Sequence, residues 1–251
     1  MITNKQKTQE EKYVFPYHYL DLCDEAHRLL YAREYLSYLG IVKDFIKPFL
    51  GQYILDAGCG DGRFCYELMN ENVKLVGIDL SEGAIRFARV FCPKVEFYVQ
   101  DLKNLDLPYK FDFIIMLETL EHLNPTEIPR ILRNLSAILK DNGKLIITTP
   151  SSNVLISEKH YQHFTEDTLR NILKPYFNII KIQGQDKLGI QKMLFLFFLR
   201  IGMILFPFSR RLRFLRRLYS FLDSYYKKYL EVCQPQEGAR LIAVCKKLSQ
   251  N

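Results

Sequence analysis

Short apolar runs, most of them closed by an acid or a proline, alternate along this chain with longer stretches of helical period. Tyr53–Leu55, Lys74–Asp79, Val95–Val99, Phe111–Leu117, Lys144–Thr149, Asn178–Ile182 and Ala239–Cys245 read as seven strands. Phe111–Leu117 is continuously apolar after Asp112, as befits a strand buried on both faces of a parallel sheet. Between the strands lie helical stretches. Leu20 to about Lys47 is ended by Pro48, with Gly40 as the candidate break within it. Ser81 caps another, with Glu82 in its first turn. A third carries Ile131, Leu132, Leu135, Ile138 and Leu139 on one face, with Pro129 tolerated only in its first turn. Thr165 caps a fourth over 166–174, and Asp141-Asn142-Gly143 reads as the turn into the fifth strand. The alternation predicts an α/β fold built on a doubly wound sheet. Residues 1–50 supply an N-terminal flap and helices, with Tyr13–Tyr19 made irregular by Pro16. Residues 51–186 form the core, 187–236 a helical insertion, and 237–251 the last strand.

The first strand runs into Y-I-L-D-A-G-C-G-D-G-R-F, with Asp56 followed by Gly58, Gly60 and Gly62 at alternate positions. Glycines at that density let the backbone turn tightly and approach a ligand. The spacing is neither G-x-G-x-x-G nor the phosphate loop G-x-x-x-x-G-K-[ST]. It places a carboxylate where a phosphate site would want positive charge, which suits a ligand with a cationic, amine-bearing end. Two further acids, Asp79 and Asp101, close the second and third strands. An acid ending the second strand is placed to accept hydrogen bonds from ribose hydroxyls.

D-A-G-C-G-D-G resembles the first motif of the Rossmann-like, class I S-adenosylmethionine-dependent methyltransferases. The resemblance extends from about Tyr53 to Gln185 and resumes over Ala239–Lys246. It implies a mostly parallel sheet with the last strand inserted antiparallel between the fifth and sixth. It also implies S-adenosylmethionine as cofactor, held by Asp56, Gly58, Cys59, Gly60 and Gly62 at the methionine side. Asp79 and Leu80 would lie at the ribose, Asp101 and Leu102 at the adenine, and Leu117 beside the methyl group. N-terminal helices in the related fold cover cofactor and substrate, so Tyr17 and Tyr19 either line that pocket or pack the lid.

After the fourth strand comes E-T-L-E-H, where spacings of three and four put Glu118, Glu121 and His122 on one face of a helical turn. That turn lies at the carboxyl edge of the sheet, where open α/β folds bind ligands. His160-Tyr161-Gln162-His163 follows the fifth strand at the same edge. Two readings stand side by side. In one, His122 or His163 is a general base that takes a proton from a substrate hydroxyl, helped by Glu118 and Glu121. In the other, Glu118, Glu121, His122 and His163 or His160 hold a divalent cation, Mg2+ being the candidate. E-x-x-E-H resembles the ubiquinone-biosynthesis O-methyltransferases and also the small-RNA 2′-O-methyltransferases.

Apolar content of 48% and charged content of 25% are ordinary for a globular protein, but the net charge of +7 is unevenly spread. Ten Lys/Arg and a single acid fall between Lys187 and Leu230, so the rest of the chain is slightly negative. Within that stretch Met193–Phe208 is apolar except for Arg200. As a helix it would span about 24 Å, short of the ~30 Å of a bilayer core. A basic helical stretch follows with Leu212, Leu215, Leu218, Leu222 and Tyr226 at helical spacing. The combination suits a peripheral anchor on an anionic leaflet, set against packing on the domain's own core or a partner. Nucleic acid is not the expected partner, because phosphate tracking gains nothing from M-L-F-L-F-F-L. Six cysteines without a C-x-x-C pair, and a polar N-terminus with no signal-peptide core, point to the cytoplasm. The expectation is O-methylation of a small or lipid-linked acceptor near a membrane surface. RNA 2′-O-methylation and a non-catalytic, membrane-associated cofactor-binding protein are the alternatives; the oligomeric state stays open.

Overall fold

The computed structural model describes residues 16–23, 32–46, 51–205 and 213–248. Its centre is one sheet of β1 (Tyr53–Ala57), β2 (Lys74–Asp79), β3 (Glu96–Val99), β4 (Phe111–Leu117), β5 (Leu139–Pro150), β6 (Phe177–Lys187), β7 (Val232–Cys233) and β8 (Gly238–Lys247). The strand order is β3-β2-β1-β4-β5-β8-β6-β7. Strands β1 to β5 pair in parallel, and β8 enters antiparallel between β5 and β6, with Ile146 opposite Val244 and Ala243 opposite Ile182. The helices are α1 (Leu20–Cys23), α2 (Arg33–Ile46), α3 (Arg63–Leu68), α4 (Glu82–Phe91), α5 (Ile128–Ile138), α6 (Glu166–Leu173), α7 (Ile190–Leu205) and α8 (Arg213–Tyr229).

The helices cover both faces, which is why the central strands carry apolar residues on both sides. On one face Leu55, Ile114, Met116 and Leu145 pack with Ile131, Leu132 and Leu135 of α5 and Leu169 and Leu173 of α6. On the other, Ile54, Ile115, Ile146 and Val244 pack with Leu39 and Val42 of α2, Phe64 and Leu68 of α3, and Ile85 and Ala88 of α4. Caps stop the helices where the residue types demand it. Ser81 Oγ accepts from Ala84 N at 2.9 Å, and Thr165 and Thr168 form a reciprocal capping box.

Four expectations are corrected. The sheet has eight strands, because Val232–Cys233 adds a two-residue edge to β6, too short to show as a run. The Asp141-Asn142-Gly143 turn lies inside β5: Leu139 already pairs with Phe111, and the register slips before Lys144 reaches Phe113. β6 runs five residues past Ile182, with Gln183 and Gln185 buried and polar, so its apolar alternation fades although pairing with β8 continues. α2 passes through Gly40 unbroken, where a Cβ would meet nothing within 4 Å. The part of the expected 20–47 helix over 24–31 lies outside the described residues.

Candidate functional site

The carboxyl ends of β1, β2 and β4 meet at the glycine corner. β1 ends beside β2, and Gly58 N and Cys59 N both donate to the Ile78 carbonyl, at 2.8 and 2.9 Å. Gly58, Gly60 and Gly62 all have positive φ. At Gly58 a side chain is excluded twice over: φ is +85°, and a Cβ would lie 2.4 Å from Thr119 Oγ1. Asp79 fastens the corner, Oδ2 accepting from Gly60 N and Oδ1 from Ser81 N, each at 2.9 Å. Each carboxylate oxygen has two lone pairs, so these bonds leave acceptor capacity. Asp56 is 3% exposed, with the Cys65 thiol donating to Oδ2 at 3.5 Å. Burial, reinforced by the Asp79 and Asp61 carboxylates, lifts it to about 7 against the thiol's pull.

The remaining predicted cofactor residues divide. Cys59 is buried, its thiol pushed far up by burial and the nearby acids; Leu80 is exposed and Leu117 half-buried. Asp101 accepts from Lys103 N at 2.9 Å and pairs with Lys103 Nζ. The Leu102 side chain is core, and its carbonyl accepts from Asn134 Nδ2 at 3.1 Å.

Sequence reading missed the clamp over this corner. A 3-10 turn at Tyr17–Tyr19 lies against it, with His18 Nδ1 2.9 Å from Asp61 Oδ1 and its ring stacked on Tyr35. Tyr19 is 3% exposed, stacks on Phe91, and donates its hydroxyl to the Asp61 carbonyl. It packs the lid and does not line a pocket; the Tyr17 side chain lies outside the described residues. Arg63, fully buried, pairs with Asp21 at 2.8 Å and Glu67 at 2.5 Å. The only available signal was an aromatic flap and an arginine directly after the last glycine. Neither names its partner.

E-T-L-E-H does not lie on one face. Glu118 has φ +48° and stands before the 3-10 turn Leu120–His122, so its carboxylate turns aside. It accepts from Thr148 Oγ1 at 2.9 Å and lies 2.9 Å from Arg240 Nε of β8. Glu121 is 1% exposed and accepts from Thr149 Oγ1 at 3.2 Å. Burial, and then the Glu118 charge, push it well above the usual carboxyl range. The histidines come from two segments. His122 Nδ1 lies 3.2 Å from the Lys159 carbonyl, and His163 Nδ1 3.0 Å from the Val154 carbonyl. Against a carbonyl each Nδ1 must carry the proton, so neutral His122 and His163 keep the lone pair on Nε2. His163 Nε2 lies 2.8 Å from His160 Nδ1 and so accepts from it, which places the lone pair of neutral His160 on Nε2 as well. Ligand atoms of Glu121, His122 and His160 lie within 4.8 Å of one another. The structure thus brings His160 into the cluster, sets His163 behind it, and diverts Glu118 to Arg240.

Residues 54–143 match the family model described as a methyltransferase domain. Two ubiquinone biosynthesis O-methyltransferases are similar over part of the chain. That of Bradyrhizobium diazoefficiens is 27% identical over 107 residues, 41% of this chain and 42% of that protein. That of Coxiella burnetii is 31% identical over 108 residues, 41% of this chain and 45% of that protein. The chain thus spans less than half the length of these curated relatives. A TehB-like SAM-dependent methyltransferase from Corynebacterium glutamicum shares the fold, with a TM-score of 0.58 at 18% identity, covering 96% of this chain and all of the other.

Proposed function

We propose that this chain, whose core is a class I S-adenosylmethionine-dependent methyltransferase domain, transfers the cofactor's methyl group to an oxygen of a small or lipid-linked acceptor close to a membrane surface. The observation that carries this is the juxtaposition of the acid-lined glycine corner with the Glu121–His122–His160 cluster at one sheet edge. The donor set fits the cofactor. Asp56, Asp79 and Asp101 are acids, and Arg63, the cation beside the corner, is held by Asp21 and Glu67. Such a corner favours a cationic methionyl end over a phosphate. Asp56, Gly58, Cys59, Gly60 and Gly62 would hold the methionyl side, Asp79 and Leu80 the ribose, Asp101 and Leu102 the adenine, and Leu117 the methyl side.

The bound cofactor supplies a methyl carbon on a sulfonium. With the methyl group delivered there as an electrophile, an imidazole of this chain would take the proton that the acceptor hydroxyl gives up. His122 Nε2 and His160 Nε2 carry the lone pairs for that step. A proton taken at His160 Nε2 can be matched by release of its Nδ1 proton to His163 Nε2, 2.8 Å away. Glu121 stands beside these rings, its carboxyl raised above the usual range by burial and then by the Glu118 charge.

A second reading of the cluster is favoured by its two imidazoles and one carboxylate. That set suits a borderline ion such as Zn2+, Mn2+ or Fe2+. Mg2+ fits poorly, since it asks for oxygen ligands and Glu118 is engaged by Arg240.

The test is calorimetry of pure protein with S-adenosylmethionine and S-adenosylhomocysteine. Transfer of labelled methyl into lipid, RNA and small-molecule fractions of an extract follows. No heat with either nucleoside overturns the reading. Heat without transfer into any fraction selects the non-catalytic alternative, and label in RNA selects 2′-O-methylation.

A further inference from the structure

Two segments at the carboxyl edge push large apolar side chains into solvent. The loop after β5 carries Leu155, 97% exposed, and Ile156, 61% exposed. On α7, Met193 and Phe197 are 70% and 58% exposed. The inner side of α7 is already filled: Phe195 and Leu199 are buried against Leu222, Tyr226 and Leu230 of α8 and its end. Lys192 is engaged by Asp186 and Glu34, and Arg33 of α2 holds Asp223 of α8 at 2.5 Å. The hairpin is therefore docked on its own domain by one side, and its outer apolar side is not what that docking uses.

The lip and the hairpin share a base. Asn153 Nδ2 donates to the Gln236 and Gly238 carbonyls at 2.9 and 3.0 Å, and Ser151 Oγ to the Gly238 carbonyl at 2.6 Å. Leu188 N donates to the Glu237 carbonyl at 2.8 Å, tying the outgoing chain to the returning one. Leu155 and Ile156 also lie between the two carbonyls that orient the site's imidazoles, Val154 for His163 and Lys159 for His122.

Charge decides the occupant. Arg200, Arg217, Lys227 and Lys228 are exposed, and the one acid of 187–230, Asp223, is shared by Arg33 and Lys227. A second copy would bring Arg200, Arg217 and Lys228, which outnumber that single acid, face to face with their own kind. A nucleic acid would leave Leu155, Met193 and Phe197 in water. An interface of anionic headgroups over acyl chains satisfies both kinds of side chain.

We infer that the carboxyl edge itself is a membrane-docking face, in which the Leu155–Ile156 lip and the outer face of α7 enter an anionic bilayer together and turn the mouth of the site towards it. Entry of the acceptor from the bilayer rests on the methyl-transfer reading above; the docking does not.

The experiment is co-sedimentation of the full chain with phosphatidylcholine vesicles, with and without about one third phosphatidylglycerol, in low and high salt. Binding is expected to the anionic vesicles and to weaken in salt. Leu155→Ser with Ile156→Ser, and Met193→Ser with Phe197→Ser, should each lower partitioning by about tenfold or more. Calorimetry should show the same heat with the cofactor for both variants as for the parent, which separates a lost docking face from a lost fold. Absence of binding to anionic vesicles, or unchanged partitioning of the Leu155/Ile156 variant, overturns the proposal. So does a dimer in sedimentation velocity that both variants abolish while vesicle binding persists. Vesicle binding without cofactor heat would sink the methyl-transfer reading and leave the docking face standing.

Discussion

Arg240 Nε lies 2.9 Å from Glu118 Oε1, and the two residues are 122 positions apart in a chain that only the antiparallel entry of β8 brings together. The guanidinium also lies 4.4 Å from the Tyr38 ring centroid and donates through Nη1 to Gln185 Oε1 at 2.8 Å. It joins α2, the end of β6 and the turn after β4. Removing one member of such a pair leaves the other charge without its counter-ion. Arg240→Leu should lower stability in urea unfolding by about 3 kcal/mol. In a double-mutant cycle with Glu118→Gln, the two losses should fall well short of additivity; full additivity would mean the pair is not coupled.

Gly58→Ala should lose cofactor binding and destabilise the protein by more than about 2 kcal/mol, because strain and collision add. The collision comes from the Thr119 side chain, its Oγ1 at 2.4 Å and Cγ2 at 2.5 Å from the added carbon. Adding Thr119→Ala should recover part of the stability. The remainder, about 1 kcal/mol, belongs to the left-handed backbone. Complete recovery on thermal melting would show that the turn's conformation costs nothing.

Asp56 titrates near 7 in the folded protein, far above its value of about 4 in an unfolded chain. Between those values the folded state holds the proton and the unfolded state does not. The Asp56 contribution to stability therefore falls as pH rises from about 4 through 7. Asp56→Asn should flatten that slope and be relatively most stabilising near pH 8. A cationic ligand favours the ionised form, so at pH 6 cofactor binding should expel a proton and affinity should rise towards pH 8. Calorimetry in buffers of different ionisation enthalpy reads the proton directly. Equal heats in all buffers at pH 6 would contradict the assignment.

Under the base reading His163 acts through His160, whose Nδ1 lies 2.8 Å from His163 Nε2. His163→Phe should lower kcat by about 10- to 100-fold, as loss of an orienting partner does, with cofactor affinity unchanged. His122→Ala should cost about 10² to 10⁴ in kcat if it is the base. A shift of the pH–rate profile in the His163 variant would mark a role in proton transfer; unchanged kcat would remove His163 from the mechanism.

Chelation separates the two readings of the cluster. Under the base reading, dialysis against EDTA leaves transfer unaltered. Under the metal reading, transfer is lost and returns with Zn2+, Mn2+ or Fe2+ in preference to Mg2+. Metal content by mass spectrometry before and after dialysis checks that the ion was removed.

Seven of the eight strands, the acids that close the first three and the glycine corner were legible from residues alone. A strand buried on both faces must be apolar along its length, as Ile114, Ile115 and Met116 are, and a turn with positive φ at Gly58 and Gly62 selects glycine. Ser81 and Thr165 named helix starts because their oxygens reach only the next turn. These are local constraints, and local sequence carries them.

What the chain order could not carry are relations between segments. Spacing put Glu118 beside Glu121 and His122, but a positive φ and an arginine from the last strand took it away. Sequence reading offered His163 for the base role and His160 only as an alternative cation ligand. The fold set His160 in the cluster and His163 behind it, because Val154 of the preceding loop holds His163 Nδ1. Leu155 and Ile156 read as an unremarked pair until Asn153 and Ser151 tied their loop to the base of the hairpin. Hydrophobic period and backbone stereochemistry act within a few residues and settle which elements form; the direction of a buried charge is settled by whichever partner the tertiary structure delivers.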